Sequence, residues 1–337
     1  MKKHLGKGTF NYIDGDVYEG EFQDAEPHGI GKMTYKDGRV VEGIWKNGKI
    51  VYEGGLADGQ PHGRGRKINP RPRGSVYEGE WKDGKKQGEG TLKWPDGEMY
   101  EGEWKDGSRL GKGTYKWSDG SVYEGEWKDN EEHGRGTHKW PDGSEYEGDF
   151  KDGNMHGKGI YKRPDGSVEY DGDYKDDRPD GNGTYNYKNG DVYTGEWRAD
   201  CMHGKGVMTY ANQDSYDGEW KEGCKYGRGT MKFHNGDIYE GEFSNGKMHG
   251  RGTFQYADAA GDVLKSIGEW KEGKKFGLFE DIVRVSISKQ VYYDNDEPKA
   301  NPNVKREAPS DEDTDTDDAP PSKRRNVCVS PPLRDGA

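Results

Sequence analysis

Paired carboxylates recur along this chain at Glu78/Glu80, Glu101/Glu103 and Glu124/Glu126. Two acids one residue apart on an extended strand stand about 7 Å from each other, a separation that glycosidase acid–base pairs also use. Repetition argues against that chemistry. A catalytic pair is singular and sits in a pocket that shifts its pKa, whereas these pairs return in nearly every copy of one motif. A strand would hold them on its wet face, opposite Lys, Arg and Thr, where cross-strand pairing at about 0.2–1 kcal/mol accounts for them. Histidines also recur, as His28, His62, His133, His156, His203 and His249, in a slot that elsewhere holds Gln87, Leu110, Asp180 or Tyr226. A position that accepts leucine is a packing or turn position. Successive slots about 10 Å apart cannot share a zinc ion whose ligands lie at about 2 Å. The Gly-x-Gly pairs lack the strand-to-helix setting of a phosphate loop. The expectation is no catalytic residue, no metal and no cofactor.

Two other sets suit binding. Arg64, Arg66, Lys67, Arg71 and Arg73 form a basic cluster without an acid, in a stretch where two prolines interrupt strand pairing. They are candidates for contact with a phosphoinositide or another anionic ligand. Trp94, Trp117, Trp140 and Tyr187 recur at one repeat position and are candidates for lining a partner groove. The C-terminal stretch adds regulatory candidates. Ser310, Thr314 and Thr316 precede acids, Ser330 precedes a proline, and Lys323, Arg324 and Arg325 resemble a nuclear import signal.

The elements that would carry these residues follow from a repeat. Tyr-x-Gly-x-Trp/Phe starts at Tyr18, Tyr52, Tyr77, Tyr100, Tyr123, Tyr146, Tyr170, Tyr193, Tyr216 and Tyr239, with degenerate copies from Val41 and Ser266. From Tyr77 to Tyr239 each step is 23 residues except one of 24. In "YEGEW", period two places Tyr77, Gly79 and Trp81 on one face and the glutamates on the other. "KDG" reads as a turn, and "GEGTLKW" as a second strand with Gly88, Gly90, Leu92 and Trp94 on one face. Asp96-Gly97 and its equivalents are tight-turn signals, because both central residues can adopt positive φ. One such hairpin is marginal in water, but a stack of them buries the aromatics and pairs the edges.

The unit resembles the MORN (membrane occupation and recognition nexus) repeat, through "YEGEW", the following "DG" turn and the "HGRG/HGKG" segments at His133–Gly136, His156–Gly159, His203–Gly206 and His249–Gly252. The resemblance implies an all-β fold, an elongated single-layer twisted sheet of antiparallel hairpins with a groove. It also implies scaffold functions, in junctophilins, radial-spoke heads and apicomplexan scaffolds, or beside kinase and methyltransferase domains that this chain has no room for. The expected organisation is an array of about 11–12 repeats over 1–280, irregular at 41–76 and 257–266. Capping strands follow over 281–294, and a disordered acidic, proline-rich tail over 295–337.

Composition bounds the partners. The 337 residues are 28% hydrophobic and 34% charged, which alone would suggest disorder. The 22 tyrosines and 10 tryptophans at fixed intervals oppose that reading. A net charge of −12 disfavours nucleic acid, no apolar run is long enough to span a bilayer, and three cysteines form no zinc spacing. The expected function is a non-catalytic scaffold for a protein partner, an extended peptide or helix, in the cytoplasm, with cytoskeletal, ciliary, membrane-peripheral or nuclear placement open. The alternatives are a phosphoinositide-responsive adaptor and a regulatory subunit of a separate kinase or methyltransferase.

Overall fold

Tyrosine and glycine alternate in each hairpin because one ring needs the space that two side chains would fill. The computed structural model describes residues 5–69, 74–257, 263–283, 288–294 and 297–299. Among them there is no helix. The chain falls into two compact units, 1–167 and 168–337, and within each the strands are antiparallel and pair with their sequence neighbours. A typical hairpin joins a seven-residue strand, Met99–Lys105, to a nine-residue strand, Ser108–Lys116.

Tyr100 is fully buried. Its hydroxyl donates to the Glu103 carbonyl (3.1 Å), and its ring lies across Gly102 and Gly113, which face each other in the ladder. A Cβ on Gly113 would come within 2.3 Å of the Tyr100 Oη. The ring meets Trp104 of its own hairpin edge-on at 5.1 Å and Trp127 of the next at 5.2 Å. Trp104 Nε1 in turn donates to the Gly90 carbonyl of the preceding hairpin (3.0 Å). The same arrangement recurs around Tyr77, Tyr193 and Tyr216. Buried aromatics contribute both area and edge-to-face geometry, so a chain with few aliphatics still builds a core.

The tight turn lies where the first strand meets the second. Asp106 and Gly107 both have positive φ (51° and 94°), as do Asp83 and Gly84. The Pro-Asp-Gly loop differs from the expectation. Only Gly97 has positive φ there. Trp94 N–H donates to the Glu98 carbonyl (2.9 Å) and the Asp96 carboxylate accepts from Glu98 N–H (3.1 Å), so a wider loop reverses the chain. Trp94 consequently lies beyond the end of Lys85–Lys93 and is only half-buried. Two residues earlier, Leu92 and its equivalents Tyr115, His138 and Tyr161 are buried instead.

The hairpin of Val263–Lys271 and Lys274–Val283 inverts the rule. Ser266 replaces the tyrosine and Phe279 occupies the glycine position opposite Gly268. The Phe279 ring fills the space over Gly268 and meets Trp270 edge-on at 5.5 Å. The vacated tyrosine site holds a polar cluster in which Ser266 Oγ donates to Asp281 (2.6 Å) and Lys275 Nζ donates to Ser266 Oγ (2.9 Å). This hairpin thus keeps one ring at this place, supplied from its second strand. Lys274–Val283 pairs with Ser288–Asp294, which pairs with Glu297–Lys299. Residues 258–262 of the expected second insertion and residues 300–337 of the tail lie outside the described residues.

Two predictions follow from the buried rings. Gly113→Ala should lower unfolding free energy by about 2–3 kcal/mol through overpacking, read by urea denaturation; a loss below about 0.5 kcal/mol would contradict the ring-over-glycine packing. Burial raises the phenol pKa of Tyr77, Tyr100, Tyr193, Tyr216 and Tyr239 above the ordinary 10.0, and that of Tyr18 to about 12. A raised folded pKa means that this stability is fully present below about pH 10 and is lost as pH rises above it. Tyrosinate absorbance and loss of near-UV dichroism should therefore appear together above that pH. Titration of these phenols with the fold intact would refute the assignment.

Candidate functional site: a cationic and aromatic concavity

The repeated carboxylates have structural work. In each hairpin the second strand bulges at the first glycine of Gly-x-Gly, which takes positive φ, as at Gly111 (68°) and Gly204 (55°). The second glutamate of the motif closes that bulge. Glu103 accepts from Lys112 N–H (2.9 Å), Glu196 from Lys205 N–H (2.9 Å) and Asp149 from Lys158 N–H (3.0 Å). The first glutamate is exposed, and in several copies threonine flanks it on both sides, although Glu78 faces Arg66. Glu124 stands opposite Thr114 and Thr137, so cross-strand charge pairing is not its general role. The recurrent histidine sits across from the bulge acid, as His133 opposite Glu126 and His249 opposite Glu242. Among the described residues no group of three or more His, Cys, Asp or Glu side chains could hold a metal ion.

The basic cluster is divided by the sheet. Arg64, Arg66 and Lys67 belong to a paired strand, Gln60–Ile68, rather than to a loop. Arg64 and Arg66 are exposed, in register with Glu80 and Glu78. Lys67 points to the other face, its ammonium 5.6 Å from the Trp81 ring. Arg71 and Arg73 lie outside the described residues, as do Ser310, Thr314, Thr316, Ser330, Lys323, Arg324 and Arg325.

Three of the four groove aromatics come together. Trp94, Trp117 and Trp140 are half-buried and alternate with Tyr115, His138 and Tyr161 in one row. Successive ring centroids are 5.7, 4.6, 4.9, 4.5 and 5.6 Å apart. Tyr187 belongs to the second unit, where it packs on Tyr185 at 4.6 Å and its hydroxyl meets Met202 Sδ at 3.8 Å.

Beside this row are side chains that the repeat pattern did not single out. The second residue of each second strand lies opposite the motif's Trp or its equivalent and turns inward. It is Pro27, Met155, Met202 or Met248 in several hairpins but Lys86 and Arg109 in two consecutive ones. The Lys86 ammonium sits 3.9 Å from the Trp104 centroid and 4.9 Å from Tyr77. The Arg109 guanidinium sits 4.3 Å from Trp127 and 5.1 Å from Tyr115, and donates to the Asn130 carbonyl (2.6 Å). With Leu92 and Trp94 these groups line a concavity of about 200 Å³. Burial lowers the Lys86 pKa to about 8, helped by Lys67 and Arg109, and burial also lowers that of Arg109. In the next hairpin Glu132 takes the slot, buried, with its carboxylate 3.9 Å from the buried His138 ring. In the second unit Lys225 is the counterpart, over Tyr210, Tyr216 and Phe243, its pKa lowered to about 8 by burial. The available signal was a charge in a slot that elsewhere carries Pro or Met.

A family model described as the MORN repeat matches residues 18–38, 52–70, 77–99, 100–122, 123–145, 146–168, 170–192, 193–215, 216–238, 239–259 and 267–278. No curated protein matches the chain. Solved structures with similarity include the TCP domain of SAS-4 (dCPAP) of Drosophila melanogaster, in complex with a proline-rich motif of Ana2 (dSTIL). It is 12% identical with TM-score 0.24, covering 50% of this chain and 87% of that one. Another is the TCP10 domain of Danio rerio CPAP in complex with a STIL peptide, 11% identical, TM-score 0.19, covering 72% and 94%. A third is virginiamycin B lyase from Staphylococcus aureus, 12% identical, TM-score 0.15, covering 74% and 90%. At these TM-scores the likenesses carry no argument.

The lowered lysine pKa values have a signed consequence. A lysine whose folded pKa lies below the ordinary 10.5 disfavours folding while protonated. That cost is fully present below about pH 8 and fades as pH rises toward the unfolded value. The urea midpoint should therefore rise between pH 8 and about 9.5, and Lys86→Met should flatten that rise. An identical profile in the variant would contradict the burial of the ammonium.

Proposed function

The chain belongs to the MORN-repeat family, and from that premise we propose that it is a non-catalytic scaffold whose first unit holds an extended protein segment along the row Trp94–Trp117–Trp140. The observation that carries this reading is the row itself: half-exposed rings in contact across three consecutive hairpins, beside a concavity with two cations. Large aromatics that keep an exposed edge are the side chains from which interface hot spots are built. The second acid of the repeated pairs is engaged in holding the bulge, which supports a structural rather than a catalytic use. The exposed Arg64 and Arg66 face the acid row of the neighbouring strand, and Lys67 faces away from them. That division favours a protein partner on the ring face over a lipid bound by the whole cluster.

A photocrosslinking amino acid at position 117 in the full chain, expressed in its native cell, should yield a discrete protein adduct. The same probe at position 124, on the opposite face, should not. Equal adducts from both positions, or none from 117, would sink the proposal.

A further inference from the structure

We propose that the concavity between Lys86 and Arg109 takes an acidic extended segment whose carboxylates recur every third residue. This deepens, and rests on, the scaffold reading above. A cation in an inward slot that elsewhere holds Met or Pro gives up hydration for ring contacts that only partly replace it. Among the described residues, the Lys86 ammonium has no carboxylate or carbonyl oxygen at hydrogen-bonding distance. Its contacts are the faces of Trp104 and Tyr77. Arg109 spends one donor on the Asn130 carbonyl, and its backbone N–H is held by the Asn130 side chain (2.9 Å). The guanidinium is therefore anchored, with further donors available for a planar, two-point partner such as a carboxylate. Lys67 adds a third positive charge close enough to depress Lys86.

Spacing selects the ligand. Lys86 and Arg109 occupy the same slot of consecutive hairpins, two strand widths apart, or about 9.6 Å. Three residues of a polyproline II segment rise about 9.3 Å and complete one turn, which returns residues i and i+3 to the same face. A segment crossing the strands therefore presents residues i and i+3 to the two cations, with its intervening residues against Trp94 and Tyr115. The slot beyond Arg109 holds Glu132, so an acid at i+6 would meet like charge. The site thus prefers two acids followed by a neutral or basic residue, an attractive and a repulsive element together. A bilayer fits less well. The cation heads lie among rings inside a concavity, and the opposite face carries the exposed Glu78, Glu101 and Glu124.

The probes are fluorescein-labelled twelve-residue Ser/Pro peptides with two aspartates three residues apart, two aspartates two residues apart, or two asparagines three residues apart. They are titrated into the full chain at low salt and read by anisotropy. The first should bind at least about tenfold tighter than the other two. Lys86→Met and Arg109→Met should each weaken it on the order of tenfold, with loss of salt dependence, while Lys86→Arg retains it. Methionine is native to this slot at Met155 and Met202, and near-UV dichroism checks that the variants fold. No binding of the first peptide, equal binding of all three, or indifference to both methionine variants overturns the acidic assignment. In each case position-117 crosslinking still judges the scaffold reading separately. Stronger association with phosphoinositide vesicles than with the peptide, lost in Lys86→Met, overturns it in favour of a lipid headgroup.

Discussion

A tyrosine ring laid across two facing glycines is the interaction on which the rest of this molecule depends. The ring fills the space that two Cβ atoms would claim, and its hydroxyl satisfies a carbonyl at the bulge, as Tyr100 does at Glu103. The bulge lets the second strand leave register and return. The glutamate that caps it fixes the amount of the shift. Trp104 then reaches back to the previous hairpin, and the next tryptophan closes over the ring from the other side. Aromatic edges, glycine space and one buried hydroxyl bond together replace an aliphatic core. The Ser266/Phe279 hairpin keeps a ring over the strand pair although its strand of origin changes.

That economy explains how polar residues become available for binding. The ring and the two glycines hold each hairpin, so the inward slot beside the turn tolerates different side chains. Proline and methionine fill it where only packing is needed. Lys86 and Arg109 fill it where rings supply negative faces to hold them. The cost is desolvation, visible in the lowered pKa of Lys86 and of Lys225. A repeat fold can thus place a distinct charge in one hairpin without disturbing the next.

Much of this was legible in the sequence. The 23-residue period, the alternation in "YEGEW" and the turn residues specify antiparallel hairpins, because period two and Asp-Gly act locally. The tyrosine, the tryptophan and the paired glycines could be assigned to one inner stripe. The bulge could not, because it arises from a positive-φ glycine and a carboxylate eight residues earlier, as Gly111 and Glu103 show. Without it Glu103 reads as a surface charge. Trp94 read as part of the buried stripe because strict alternation was carried one residue past the strand end, into a loop that returns through the Glu98 carbonyl. The basic stretch read as a loop because its prolines drew attention from Gln60–Ile68, which pairs on both sides. Lys86 and Arg109 were lost in a chain that is one third charged, where an inward cation looks like any other. Only their equivalence to Met155 and Met202 marks them, and that equivalence depends on knowing which slot faces in.

The backward bond from each tryptophan also gives the array a direction in time. Trp104 completes the carbonyl of Gly90, and Trp127 completes that of Gly113, so a hairpin is finished by the one that follows it. The contacts that stabilise it are made within a few tens of residues of chain. A nascent polypeptide leaving the ribosome meets those partners in the order in which it is synthesised. Each new hairpin docks on a surface already formed, with little entropy spent on closing long loops. The order of assembly and the order of translation coincide, and at any moment the growing end exposes a single unfinished strand edge.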